Sequence, residues 1–128
     1  MIIRKYDESQ DYEKIKALFE TEKDWECYTK DNNLLKYKES LNRSITYVAY
    51  EDEKIIGYCR SLEDYNFYIY ICDLLVEKGF RGRDIGKKLM ESLLQDYPSY
   101  DIFVMSDVDG YYEKLNYGVE GTIFRVSK

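Results

Sequence analysis

The run YNFYIYICDLLV, Tyr65 to Val76, constrains the fold of this chain more than any other segment. Its aromatic and β-branched residues predict a buried strand. Directly behind it comes a glycine-containing turn, RGRDIG (Arg81 to Gly86). Ile85, Leu89, Met90, Leu93, Leu94 and Tyr97 then recur at helical spacing. A strand that feeds a helix through a short turn needs flanking strands and a layer above it, so the rest of the chain must supply a sheet.

It does. IIRKY (Ile2 to Tyr6) reads as a short strand, and Ser9 or Asp11 could cap a helix carrying Tyr12, Ile15, Leu18 and Phe19 on one face. A second helix is expected over Asn33 to Asn42. ITYVAY (Ile45 to Tyr50), the turn EDEK and IIGYCRS (Ile55 to Ser61) form a hairpin pattern. After the helix that begins near Ile85, Tyr100 to Met105 reads as a strand. DGYYEKLNYG gives a short helix ending at Asn116, and Thr122 to Val126 is expected to close the fold as a strand. The order is β-α-α-β-β-β-α-β-α-β, an α/β (α+β) chain with a mixed central sheet and helices on both faces. No repeat or linker interrupts it, so residues 1–128 are expected to form one domain.

Composition removes several classes of chemistry. The chain contains no histidine, which excludes Ser–His and Cys–His mechanisms and any metal site that needs a histidine. Cys27, Cys59 and Cys72 lack the spacing of a metal or redox motif and read as small apolar residues. No metal is expected. Proton transfer at neutral pH is left to Asp, Glu, Tyr, Lys, Cys and water. The apolar runs are too short to cross a bilayer and the N-terminus does not have the pattern of a signal peptide, so a cytoplasmic protein without a membrane partner is expected.

The formal charge of −6 argues against a nucleic-acid partner. The charge is uneven, however. Between Glu77 and Lys88, five basic residues (Lys78, Arg81, Arg83, Lys87, Lys88) face two acidic ones (Glu77, Asp84), a local +3 in a chain that is otherwise −9. A basic spot on an acidic protein suits a small anion. The first amides of the helix near Asp84 lie at the positive end of its dipole, and Gly82 and Gly86 permit close approach to the backbone. The bland alternative, a helix start with a solvated basic face, is equally compatible with the spacing alone.

The longer segment LLVEKGFRGRDIGKKLM resembles the acetyl-CoA-binding segment of the GCN5-related N-acetyltransferase (GNAT) superfamily, where a strand ending in Val leads into an Arg/Gln-x-x-Gly-x-Gly/Ala turn. Arg81, Gly82, Arg83, Asp84, Ile85 and Gly86 fill that turn, with Asp84 in place of the first motif glycine. Downstream, YYEKLNYG (Tyr111 to Gly118) resembles the family's Phe-Tyr-x-Lys-x-Gly-Phe segment. Asn116 replaces its glycine and Tyr117 its last phenylalanine. The hairpin VAYEDEKIIGYC matches the family's second and third strands, so the likeness covers nearly the whole chain.

The resemblance implies an acetyl-CoA-dependent N-acetyltransferase that acts by direct transfer on a small-molecule or peptide amine. The pyrophosphate would rest on backbone amides from Gly82 through Lys87. Backbone groups of Leu74 and Val76 would pair with the pantetheine arm, and the reaction would occur where the strands ending at Val76 and Met105 splay apart. Tyr112 takes the proton-donor position; its alternative is a core aromatic. Asp73 is the acid expected as base or amine anchor if desolvation raises its pKa. The alternative is an Asp satisfied by neighbouring donors. Glu63 and Asp64 are weaker candidates, and water relay is equally open.

Trp25 and the segment DWECYTKDN fall where the family builds its acceptor pocket, and acidic and aromatic residues there suit a cationic amine. A monomer or a homodimer through an open sheet edge are both compatible with the sequence. Asp84 motivates a second reading, a non-catalytic domain that binds an acyl-CoA or a protein partner through a degenerate motif. Against it, Asp is a favoured N-cap residue and could serve as the helix cap or point away from the anion.

Overall fold

The computed structural model describes residues 1–30 and 33–127, with the side chain of Glu26 also outside the description. Asp31, Asn32 and the Glu26 side chain of the expected acceptor segment therefore lie outside the description. Five strands, β1 (Ile2–Lys5), β2 (Ile45–Glu51), β3 (Lys54–Asp64), β4 (Tyr68–Val76) and β5 (Asp101–Val104), form one sheet in the order β1-β2-β3-β4-β5. The first four pair antiparallel, and β4 pairs β5 in parallel. A parallel pair needs a crossover. Helix α3 (Ile85–Asp96) supplies it, while α1 (Glu8–Glu20) and α2 (Asn33–Arg43) connect β1 to β2, and α4 (Asp109–Lys114) follows β5. The mixed sheet expected from the sequence is present.

The two faces bury separate cores. Ile15, Leu18 and Phe19 of α1 and Tyr37 and Leu41 of α2 pack on Val48, Tyr50, Ile55, Tyr58 and Leu75. On the opposite face Ile85, Leu89, Met90 and Leu93 of α3 meet Tyr47, Ala49, Ile56, Cys59, Ile69 and Ile71. The period-3.6 pattern of each helix thus lands on one face of a period-2 sheet. Gly57 sits beneath α3, where a Cβ would stand 3.0 Å from the Leu75 carbonyl oxygen and 3.5 Å from Ile85 and Leu89, so the helix lies close over this strand.

Three expectations are corrected. The cap of α1 is Asp7, whose carboxylate accepts from the Ser9 amide at 3.1 Å, and not Ser9 or Asp11. The run from Tyr65 is not strand throughout: Tyr65, Asn66 and Phe67 form the β3–β4 turn, with Asn66 left-handed at φ 64°. Asn tolerates that region better than other residues with a Cβ, and this let a turn interrupt an apolar run. Thr122 to Val126 forms no strand. From Val119 to Ser127 the chain is exposed, with Phe124 84% exposed and Val126 fully so.

Asp11, free of capping duty, is fully buried and accepts two bonds from Arg4 (2.7 and 2.8 Å), one from the Asp7 amide (2.8 Å) and one from the Tyr50 hydroxyl. Burial alone would push its carboxyl up, but the bonds from Arg4, Tyr50 and Asp7 together hold it below the usual Asp value. A depressed carboxyl stabilises the fold above the unfolded value of about 4 and loses that contribution as pH falls through the folded value. Denaturant unfolding of wild type and Asp11→Asn should therefore show a gap at pH 6 that narrows by pH 3. A gap independent of pH would mean that Asp11 acts through packing alone.

Candidate active site

The site begins with a register slip in β4. Arg60 lies opposite Asp73 and Ser61 opposite Ile71, so Cys72 is one residue more than β3 can match. Such a bulge reverses which side chains face which layer. Ile69 and Ile71 enter the core under α3, whereas Leu75, beyond the bulge, enters the core under α1 and α2. The row Tyr65, Phe67, Ile69, Ile71, Asp73, Leu75 that strict alternation predicts is therefore broken at Cys72. The pairing with β5 stops at the same place. Ile71 opposes Val104 and accepts from the Met105 amide at 3.0 Å, while Cys72 to Val76 continue with no strand beside them on that edge. The expected splay is present, with backbone open along the second half of β4.

The turn after β4 holds two left-handed residues, Gly82 at φ 85° and Asp84 at φ 59°. Asp84 occupies the N-cap position of α3, yet its side chain makes no capping bond, so the expectation that it serves as the cap is corrected. The backbone shape explains why glycine suits this position: an L-residue there carries a steric cost. The Asp84 carbonyl accepts the first helical bond, from Lys88 at 2.9 Å. Among the described residues, the amides of Gly82 through Gly86 reach no backbone acceptor. They are orphan donors at a helix N-terminus, as an anion site requires.

The basic side chains divide in two. Arg81 is committed: its Nη2 pairs with the nearly buried Glu22 at 2.7 Å and its Nε donates to the Val76 carbonyl at 2.8 Å. This occupies one of the two carbonyls expected to meet the pantetheine arm. Arg83 lies over the Phe80 ring (5.4 Å), and Lys87 pairs loosely with Glu91 at 3.7 Å on the exposed side.

Helix α4 brings two tyrosines to this place. A Cβ on Gly86 would stand 2.5 Å from the Tyr111 hydroxyl, so this ring lies directly against the start of α3. Tyr111 thus closes against Gly86 at the end of the expected cradle, a contact the sequence did not single out. Tyr112 is half-buried against the α3 core, flanked by the rings of Tyr111 (5.1 Å) and Tyr117 (6.4 Å). Its hydroxyl makes no hydrogen bond among the described residues. Burial pushes its phenol well above the ordinary tyrosine value, so it is protonated at neutral pH. Asn116 ends the helix left-handed at φ 65°, as expected of an Asn in a glycine position.

Asp73 is not an unpaired acid. Its carboxylate accepts from Arg60 Nε at 2.5 Å, from the Tyr28 hydroxyl at 3.1 Å and from the Tyr37 hydroxyl. Arg60 is held in turn by Ser40 (3.0 Å) and Ser44 (3.2 Å), and Tyr37 shares a hydrogen bond with Tyr58 at 2.8 Å. These three donors match the alternative reading of Asp73, a carboxylate satisfied by its neighbours. Glu63 is likewise engaged, by the Tyr100 hydroxyl. Arg60 was missed, although a lone cation inside IIGYCRS was the available signal.

Beside this network lies a cleft of about 300 Å³ lined by Cys27, Tyr28, Asn33, Lys36, Tyr37 and Ser40. Trp25 stands behind it, packed on Phe19 (5.9 Å) and Tyr28 (5.2 Å). The Cys59 and Cys72 thiols are not activated. Burial raises Cys59 to about 12 and also pushes up Cys72. Among the described residues no cluster of His, Cys, Asp and Glu is placed to hold a metal ion, and no helix is long and apolar enough to cross a membrane.

Comparison with known proteins agrees with this geometry. Residues 7–117 match the family model described as "Acetyltransferase (GNAT) family". A histone acetyltransferase, TAP1, of Glycine max is 28% identical over 93 residues, covering 69% of this chain and 40% of that protein. A chloroplastic GCN5-related N-acetyltransferase 2 of Arabidopsis thaliana is 31% identical over 72 residues, 52% of this chain and 28% of its own length. The chain thus spans well under half the length of these curated relatives.

Among solved structures, the GNAT family protein SP0256 of Streptococcus pneumoniae TIGR4 superposes with TM-score 0.74 at 19% identity, covering 99% of this chain and 98% of its own. An aminoglycoside acetyltransferase from an uncultured soil metagenomic sample gives TM-score 0.74 at 23% identity, with 99% and 97% covered. These two likenesses concern the fold. The family model, matched over most of the chain on the strand, turn and helix described above, fixes the relationship: the chain belongs to the acetyltransferase (GNAT) family.

Proposed function

We propose that the protein is an acetyl-CoA-dependent N-acetyltransferase that transfers the acetyl group directly to a primary amine of a small molecule or peptide. The observation that carries this reading is the row of orphan amides from Gly82 to Gly86, which continues the open edge of β4. The amides would hold the pyrophosphate, with the Tyr111 hydroxyl beside Gly86 at the edge of the cradle. Open backbone of Leu74 would pair with the pantetheine arm. The acceptor would enter from the cleft beside Tyr28 and Tyr37, whose ring faces suit a cationic amine.

The amine nitrogen attacks the thioester carbonyl carbon, the C–S bond breaks, and Tyr112 delivers its proton to the departing thiolate. Water removes the amine proton, since Asp73 is saturated. Asp73 instead orients Tyr28 and Tyr37 along the cleft.

Asp84 gives the test. A carboxylate 5–10 Å from the pyrophosphate costs about 1–3 kcal/mol at an effective dielectric constant near 20, before salt screening. Millimolar acetyl-CoA should raise the Tm of the wild type, and Asp84→Gly should bind roughly tenfold tighter by calorimetry. Absence of a shift in both proteins would sink the proposal. Tight binding by Asp84→Gly alone would identify a degenerate, non-catalytic site.

A further inference from the structure

We propose that the end of the sheet remote from the cradle holds a second ligand site, which takes a short-chain aliphatic carboxylate. The place is a pocket of about 160 Å³ whose wall includes Lys5, Tyr6, Leu41, Ile45, Thr46 and Tyr97. The end of β1, the start of β2, the last turn of α2 and the residue that caps α3 converge there. Ala49 of β2 is in register, through Gly57, with Val76 at the mouth of the cradle. Thr46 lies three residues back along β2, roughly 10 Å from that register at the rise of an extended chain. The pocket also shares no lining residue with the cleft beside Tyr28.

Two hydroxyls in this wall carry the inference. Among the described residues, Thr46 Oγ1 and Tyr6 Oη are buried without a hydrogen-bond partner, and Thr46 as a whole is 4% exposed. A buried hydroxyl left unpaired costs stability, so each points to a partner that the chain itself does not supply. Burial pushes the Tyr6 phenol well above the ordinary tyrosine value, and Glu8 and Asp11 add to the rise. Tyr6 is therefore a donor throughout the neutral range. Lys5 brings the charge. Its Nζ stands over the Tyr97 ring (5.3 Å) and donates to the Tyr97 hydroxyl at 3.4 Å, but among the described residues no carboxylate pairs with it. The nearby acids are already engaged: Glu8 by Lys38 (3.3 Å) and Asn42 (2.7 Å), Asp11 by Arg4 (2.7 Å), and Asp96 by the Tyr47 hydroxyl. Ser44, also in the wall, donates to the Ser40 carbonyl and accepts from Arg60 (3.2 Å). One cation and two donor hydroxyls without acceptors suit a single negative charge carried on oxygen.

The rest of the wall decides the class. One water takes about 30 Å³ of liquid, so the pocket has room for a small organic ion. Leu41, Ile45 and the rings of Tyr6 and Tyr97 give it an apolar side. An ion with oxygens at one end and a short hydrocarbon tail meets both kinds of surface. Phosphate presents oxygen on every side and brings more than one negative charge toward Glu8 and Asp11.

The test is independent of the acetyl acceptor. The whole chain is titrated with sodium butyrate, propionate, acetate or phosphate, against sodium chloride at equal ionic strength, and the heat of binding and the Tm are read. Butyrate or propionate should bind saturably at millimolar concentration and raise the Tm, and phosphate should do neither. Thr46→Val and Tyr6→Phe each remove one hydroxyl and keep the shape, and each should weaken carboxylate binding about fivefold or more. Lys5→Gln should weaken it further. In chloride alone, Thr46→Val and Tyr6→Phe should melt no lower than wild type, because neither hydroxyl has a partner to lose. Absence of saturable carboxylate binding, or binding that all three variants leave unchanged, overturns the proposal. Phosphate binding as tight as that of butyrate does so too, since the site would then select charge alone. A large loss of stability in both hydroxyl variants without probe also overturns it, because those hydroxyls would already serve the fold.

Discussion

Tyr112→Phe is expected to lower kcat at pH 7 by about a hundredfold or more, within the range for loss of a positioned general acid, while the Tm shift caused by acetyl-CoA stays unchanged. The substitution removes one oxygen and leaves the ring between Tyr111 and Tyr117. That oxygen is bonded to nothing among the described residues, so its loss strands no partner. Burial holds the phenol protonated through the neutral and mildly alkaline range. Such a group holds a proton to give, which is what a departing thiolate needs. The wild-type rate should accordingly show no alkaline decline from this residue below about pH 10, since its pKa is raised from that value. Equal losses in kcat and in acetyl-CoA affinity would mean that Tyr112 is a packing residue.

The second large effect concerns stability. Arg60→Ala should destabilise the fold by about 3–5 kcal/mol, the usual result of removing one member of a buried pair. A domain of this size should then melt 10 °C or more lower. Asp73 has 5% exposure and would be left with only two tyrosine hydroxyls to meet it. Tyr37, Ser40 and Ser44 would each lose a donor as well. The Arg60→Leu/Asp73→Leu double variant should regain much of the loss, because two apolar side chains leave no charge unpaired. If Asp73→Asn melts like wild type yet abolishes turnover, Asp73 is catalytic after all and the water route is wrong.

Sequence periodicity reached the helices and most of the strands because these follow a single period each. Ile15, Leu18 and Phe19, and Ile85, Leu89 and Leu93, met the cores expected of them. It failed where one residue departs from the period. Asn66 turns inside an apolar run, and Cys72 adds half a period to β4. Neither carries a compositional mark. The turn from Arg81 to Gly86 was legible as a glycine-bearing helix start with clustered cations. That pattern leaves an anion site and a solvated basic face equally open from spacing alone. The engagement of Arg81 by Glu22, fifty-nine positions earlier, was not legible, because a long-range ion pair leaves no spacing to count. Asp73 was noticed for being an acid in an apolar strand, but its partners sit on β3, α2 and the single-turn helix at Lys23–Tyr28. Only folding brings them together. Thr122 to Val126 has the composition of a strand but forms none, because composition alone does not bring a segment to a sheet edge.

The bulge at Cys72 has one more consequence, for how the opening beside β4 can be lost. An extra residue is a matter of chain length, not of side-chain chemistry. No single replacement at position 72 can bring the two halves of β4 back into step; only dropping or gaining a residue can. Such an event would turn Asp73 away from Arg60 and present a different set of backbone groups to the gap at once. The opening is therefore insulated against gradual drift by point mutation, and vulnerable to one kind of accident only.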